Sequence, residues 1–143
     1  MAITTAMANT FKKELLTATH NFATNGNAFK LALYTTAASI GAATATFTTT
    51  GQVGNSGSYS SGGGTLTKVA PTNQGTTVGV TDFGDISFTT ATIAARGAMI
   101  YNDTNGDKTV CTLDFGGTKT STGGTFQITF PTVGASTAII RIA

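Results

Sequence analysis

Apolar residues near the start of the chain recur at helical spacing. Five of them are separated by four, four, three and four positions: Met7, Phe11, Leu15, Ala18 and Phe22. This spacing places them on one face of a helix. With Thr4 or Thr5 as N-cap and Asn25-Gly26 as the stop, the pattern predicts a helix over about residues 5–24. Because a helix of this length is marginal alone in water, we expect its stripe to pack on its own sheet or on a neighbouring subunit.

After Gly26 the apolar period changes from helical spacing to two. Phe29, Leu31 and Leu33 are predicted on one face of a strand, with the intervening residues on the other. Further short strands, separated by turn signals, are predicted near residues 66–69, 76–80, 86–90, 92–101, 109–115, 126–130 and 138–142. Asn105-Gly106 predicts a two-residue hairpin turn. The pattern indicates a mainly β, antiparallel β-sandwich or jelly-roll-like fold with one N-terminal α-helix.

Residues 48–64 read TTTGQVGNSGSYSSGGG and lack apolar periodicity. Such a polar, glycine-rich stretch predicts a long loop or arm that is mobile in isolation and could order on a neighbouring molecule. The whole chain, residues 1–143, is expected to form one domain, with its sandwich over about residues 28–47 and 65–143.

Charge is scarce along the 143 residues, with 8 Lys and Arg against 6 Asp and Glu, a formal net charge of +2. Nucleic-acid binding normally requires clustered basic residues, so nucleic acid is not expected as a partner. No stretch approaches the roughly 18 apolar residues of a membrane helix, and no signal peptide is evident, so we expect synthesis in a cytoplasm and no membrane association. Such low charge favours self-association, and a homo-oligomer is expected.

Candidate chemistry is sparse. One histidine, His20, and one cysteine, Cys111, supply neither a base–nucleophile set nor a zinc site. Cys111 alternates with Leu113 and Phe115 and is expected in the core. The pair Asp82 and Asp85 is interpreted as turn acids rather than a glycosidase pair. We therefore predict no enzyme, no catalytic residue and no cofactor.

A polar run between two predicted strands partly matches a calcium loop. Asp103, Asn105 and Asp107 occupy its first, third and fifth positions and Asp114 its twelfth. The sixth position requires glycine and holds Lys108 instead. A hairpin turn is therefore the favoured interpretation, with a weak calcium site as the alternative.

Residues that could contact a partner come from three features of the chain. The helical stripe contributes Met7, Phe11, Leu15 and Phe22, and the glycine-rich loop contributes Tyr59. Arg96-Gly97 interrupts a predicted strand, which indicates either a bulge or an interface contact at Arg96.

Several phrases of the chain resemble a known family. They are FKLALYTTAAS at 29–39, ARGAMIYND at 95–103, TLDFGGTKTSTGGTFQITFP at 112–131 and AIIRIA at the end. Together they resemble small accessory virion structural proteins of tailed double-stranded DNA phages, common in aquatic phages. The resemblance covers most of the chain except the glycine-rich loop and about residues 72–82, and it brings no catalytic residues.

The resemblance implies a virion component made in the host cytoplasm. A capsid cement or decoration protein, bound to the major capsid protein or other virion proteins, is the leading expectation. Two alternatives stay open: an accessory protein of the tail, neck or baseplate, and a β module that binds host-surface glycans. The glycan alternative depends on exposed aromatic side chains, and of the three tyrosines, Tyr34, Tyr59 and Tyr101, only Tyr59 lies in a predicted loop.

Overall fold

Strands dominate the computed structural model, which describes residues 2–143. The regular elements, in chain order, are β1 (Ala6–Met7), α1 (Asn9–Leu16), β2 (Phe29–Tyr34), β3 (Gly64–Thr65), β4 (Lys68–Gln74), β5 (Val78–Phe83), β6 (Ile86–Asn102), β7 (Lys108–Ile128) and β8 (Ile140–Ile142). A five-stranded sheet has the order β1-β7-β6-β2-β3, and a three-stranded sheet has the order β4-β5-β8. Neighbouring strands in both sheets are antiparallel. The predicted mainly β, antiparallel class with one N-terminal helix is confirmed, and the two sheets are consistent with a β-sandwich.

Strand β2 confirms the predicted alternation and separates two apolar clusters. Phe29, Leu31 and Leu33 are fully buried in the larger cluster, together with residues from both sheets and from α1. Ala32 and Tyr34 point the other way, into a smaller cluster closed by residues that precede and follow the strand. Because β2 is covered on both faces, its sequence is almost continuously apolar.

The helix is shorter than predicted. It ends at Leu16 rather than near residue 24, and Ala18 adopts a left-handed backbone conformation with φ 57°. An alanine in that conformation cannot continue a right-handed helix, so the chain changes direction there. Phe22 nevertheless reaches the same core from the following non-helical segment and stacks on Phe29 with ring centroids 4.4 Å apart. The apolar spacing beyond Leu16 therefore reflects a shared core and not a continuous helix.

The glycine-rich stretch 48–64 is a packed loop, which corrects the prediction of a mobile arm. Val53 and Tyr59 within it are buried in the main core. Gly57 and Gly63 have φ of 56° and 87°, and a methyl group added at either would overlap backbone carbonyl groups of β6 or β2. These glycines are needed because the loop backbone lies directly against the sheet, and not because the loop is free.

Strands β6 and β7 form one long hairpin where several shorter strands were predicted. Its irregular register coincides with left-handed conformations at Thr90, Gly116 and Gly123. The polar, glycine-containing stretches that suggested turns are therefore irregularities within continuous strands. The hairpin near Asn105-Gly106 is confirmed, but five residues separate the last pair, Asn102 and Lys108, where two were predicted.

Candidate functional site

A buried polar network surrounds the only histidine of the chain. The His20 side chain has 0% exposure, and its Nε2 lies 2.7 Å from Oε2 of Glu14 on α1. The second carboxylate oxygen of Glu14 lies 3.4 Å from Nζ of Lys108, at the start of β7. On the other side of the ring, Nδ1 lies 3.0 Å from Nδ2 of Asn102, at the end of β6. The network therefore joins α1, the segment after it and the β6–β7 hairpin.

The orientation of Asn102 determines the tautomer of His20. Its Oδ1 accepts hydrogen bonds from the backbone N–H groups of Thr104 and Asn105, both at 3.1 Å. Backbone N–H groups can only donate, so the other end of the amide, Nδ2, is the donor toward His20. Nδ1 of His20 is consequently an acceptor, and the ring proton lies on Nε2, which donates to Glu14.

This arrangement suits structure rather than catalysis. The pair resembles a general base, His20, oriented by a carboxylate, Glu14. However, both ring nitrogens of His20 are already hydrogen bonded, and the ring has no exposed surface. A general base must reach the proton that it abstracts, and His20 cannot do so in this conformation. Asn105 Nδ2 donates to the carbonyl of Thr19 at 2.6 Å, which ties the hairpin turn to the segment after α1.

The four calcium candidates do not converge on one point. Asp103 pairs with Lys30 at 3.2 Å, and Asp114 on β7 pairs with Arg96 on the neighbouring β6 at 2.8 Å. The side chain of Asn105 is held by Thr19 as described above, and Asp107 is exposed in the turn. Asp114 lies six residues beyond Lys108, roughly 20 Å along an extended strand. Within residues 2–143, no group of three or more His, Cys, Asp or Glu side chains is placed to hold a metal ion.

Three of the six predicted interface residues are buried within the chain. Phe11, Phe22 and Tyr59 have exposures of 0%, 7% and 1%. The hydroxyl of Tyr59 accepts the backbone N–H of Leu33 at 2.8 Å, and its ring meets Phe88 edge-on. Their prediction as docking residues is corrected, because the apolar stripe and the loop pack on the chain's own sheets.

The other three predicted interface residues have different environments. Met7 is half-buried in β1 opposite Cys111 and lines a groove of about 650 Å³ beside the segment after β7. Arg96 makes a two-point contact with Asp114, at 2.8 and 3.2 Å, and this hydrogen bonding lowers the pKa of the Asp114 carboxyl. Leu15 is half-buried and lines a second groove, described next.

An apolar groove lies between the end of α1 and the three-stranded sheet. We call it the α1 groove; its volume is about 440 Å³ and its apolar lining includes Leu15, Phe22, Pro71, Val80, Ile140 and Ile142. Three large apolar side chains of the described residues are strongly exposed: Leu16 at 90%, Ile142 at 62% and Val69 at 38%. Ile142 lines the groove itself, Leu16 directly follows the lining residue Leu15 on α1, and Val69 lies on β4, which contributes Pro71 to the lining. Concentrated exposed apolar surface is typical of interaction sites.

The sequence contained a partial signal for this groove. Leu16 falls next to Leu15 and outside the apolar stripe, which is a position where a polar residue is normal on a helix packed on one side. Ile142 lies in the closing AIIRIA, which was predicted as a strand. The sequence did not indicate that Leu15 of α1 and Ile142 of β8 line the same groove, since that depends on the sheet order.

The tyrosines of the chain do not form an exposed aromatic platform. Tyr34, Tyr59 and Tyr101 have exposures of 0%, 1% and 2%. Burial raises the pKa of Tyr34 and Tyr101 well above the usual value for tyrosine. All three tyrosines, including Tyr59 in the glycine-rich loop, are therefore core residues.

In the part of the chain that the structure describes, no helix has the length and apolar character required to cross a bilayer. Comparison of the chain with protein-family models, with curated proteins and with solved structures found no match.

Proposed function

We propose that this protein is a structural component of a tailed-phage virion that decorates or cements the capsid by binding the major capsid protein. The concentration of exposed apolar surface around the α1 groove is the observation that carries the proposal. Leu16 and Ile142 keep most of their surface in contact with water, at 90% and 62% exposure. The resemblance of four stretches of the sequence to accessory virion proteins supports the same assignment.

Burial of this surface at a joint between shell subunits would stabilise the shell. Each side of a standard protein interface loses about 800 Å² of accessible surface, and apolar area contributes roughly 25 cal/mol per Å² before the costs of association. The helix and the glycine-rich loop already pack on the chain's own core. The protein would therefore reach the shell in its folded form, with little entropy lost on ordering.

A place in the tail, neck or baseplate is the alternative within the same class. It would use the same apolar surface, and copy number separates the two, because a shell offers many equivalent sites and a tail few. The homo-oligomer expected from the scarce charge is compatible with either location. The buried tyrosines do not favour glycan binding as the main role.

Shells assembled without the protein provide the test. Purified protein is added to them, bound copies are counted by quantitative gel analysis after sedimentation, and shell disruption is followed by scanning calorimetry. We expect saturable binding and a higher disruption temperature. The proposal is wrong if the protein does not sediment with the shells, or binds them without changing their disruption temperature.

A further inference from the structure

The exposed face of α1 is basic as well as apolar. Lys12 and Lys13 lie four and three residues before Leu16, so all three share one side of the helix. Both lysines are exposed, and among the described residues neither has an acidic partner within ion-pair distance. We call these three residues the α1 face; it adjoins the α1 groove through Leu15.

The one acidic residue of α1 does not neutralise this face. Glu14 is only 12% exposed at its side chain and its two carboxylate oxygens contact His20 and Lys108. The polar network described above thus removes the helix's negative charge from the surface and leaves two positive charges beside an apolar side chain. This separation is a property of the fold, since Lys12, Lys13 and Glu14 are consecutive in the sequence.

We infer that the α1 face and the α1 groove dock on a protein surface that presents acidic side chains around an apolar protrusion. This inference rests on the proposed function, and it specifies the chemistry of the capsid surface that the protein recognises. Opposite charges at the rim of an interface steer the encounter and fix its orientation, while the apolar centre contributes most of the affinity.

A second copy of this chain fits the face poorly. In a twofold contact the same patch is present on both sides, so the lysines of both copies would lie in one interface without an exposed acidic residue of α1. Like charges placed opposite each other destabilise an interface. A nucleic acid would satisfy the lysines but not Leu16 and Ile142, because contacts to phosphate are made by polar and basic groups. An acidic protein surface with an apolar centre matches both parts of the patch.

Charge reversal on α1 tests the inference with the same shells. The double variant Lys12→Glu/Lys13→Glu changes two exposed side chains, and Lys119→Glu, at an exposed position of β7, is the matched control for reversal of a surface charge. Circular dichroism and thermal unfolding of both variants are compared with the unsubstituted protein, so that loss of folding is detected separately.

We expect the double variant to bind shells roughly tenfold more weakly or worse, and Lys119→Glu to bind within about twofold of the unsubstituted protein. Binding of the unsubstituted protein should also weaken as salt rises, and binding of the double variant much less so. Equal binding by the double variant, with equal salt dependence, overturns this inference and leaves the proposed function intact. Failure of the unsubstituted protein to bind shells overturns both.

A second variant tests the contribution of the apolar side chain to shell binding separately from that of the lysines. Leu16→Ser removes a side chain that is 90% exposed and therefore leaves the core intact. We expect weaker shell binding with an unchanged salt dependence, because the lysines remain. Unchanged binding by Leu16→Ser would contradict the assignment of the apolar centre to this face.

Discussion

The packing of α1 on its own chain can be tested through Phe11. The side chain has 0% exposure, and its ring lies 4.8 Å from the ring of His20 and 6.1 Å from that of Phe22. Replacement of a core phenylalanine by alanine removes apolar contacts and leaves a cavity, which costs about 3–5 kcal/mol. Whole domains are stable by only about 5–15 kcal/mol, so Phe11→Ala is expected to lose a large fraction of the total.

The assay is urea unfolding followed by circular dichroism, at two protein concentrations about a hundredfold apart. We expect the free energy of unfolding of Phe11→Ala to fall by about 3–5 kcal/mol at both concentrations. Leu16→Ala is the control, because its side chain is 90% exposed and a surface change typically alters stability by no more than about 0.5 kcal/mol.

Two results would contradict the packing of α1 on its own chain. If Phe11→Ala is as stable as the unsubstituted protein, the helix does not contribute to the core. If the loss depends strongly on protein concentration, the stripe packs on a neighbouring subunit instead, since only then does association contribute to stability.

Three further predictions concern buried polar groups. Asn102→Asp replaces the Nδ2 donor by a carboxylate oxygen that faces the acceptor Nδ1 of His20, so the free energy of unfolding in urea should be lower for the variant than for the unsubstituted protein; a variant of equal stability would contradict the assigned tautomer. Burial raises the pKa of Asp82 above its model-compound value of 3.8, opposed by the hydrogen bond from the N–H of Phe83. The protonated carboxyl of Asp82 therefore stabilises the fold fully below pH 3.8, and this stabilisation is lost as pH rises through the raised pKa. Asp82→Asn keeps the acceptor without the charge, so it should raise the melting temperature at about pH 7 and not at about pH 3. Equal shifts in melting temperature at both pH values would refute this prediction. Burial raises the pKa of Cys111 to about 12, so a disulfide reagent should modify it at about pH 8 only after unfolding; rapid modification of the folded protein would show that the thiol is accessible.

The sequence predicted best where local alternation and burial agree. Phe29, Leu31 and Leu33 were assigned to one face because a strand places alternate residues together, and the structure has them in one cluster. Cys111 was predicted in the core for the same reason, and it lies there. These predictions needed only the period of the pattern.

The sequence predicted least well where distant backbone decides the conformation. The glycines at positions 57 and 63 are typical of a flexible linker, but their role is to let the loop approach β6 and β2. Nothing within the loop's own sequence identifies those strands as its neighbours. The helix was predicted too long for a related reason. Phe22 continues the apolar spacing past Leu16, but it reaches the same core from a non-helical segment.

The sequence shows the residues of the candidate site but not which of them lie together on the surface. Lys12, Lys13 and Leu16 are visible in the sequence, as is the apolar C-terminal strand. The Glu14 side chain is buried because it contacts His20 and Lys108, and Lys108 is 94 positions away along the chain. Long-range contacts of this kind decide which charges reach the surface.

Imaging of the intact particle tests the central claim most directly. Reconstruction of the virion by electron cryomicroscopy gives the location, copy number and orientation of the protein in one measurement. We expect on the order of hundreds of copies on the shell, with the α1 groove and Leu16 against the capsid protein. A handful of copies at the tail, or shell-bound copies with the α1 groove facing solvent, would contradict it.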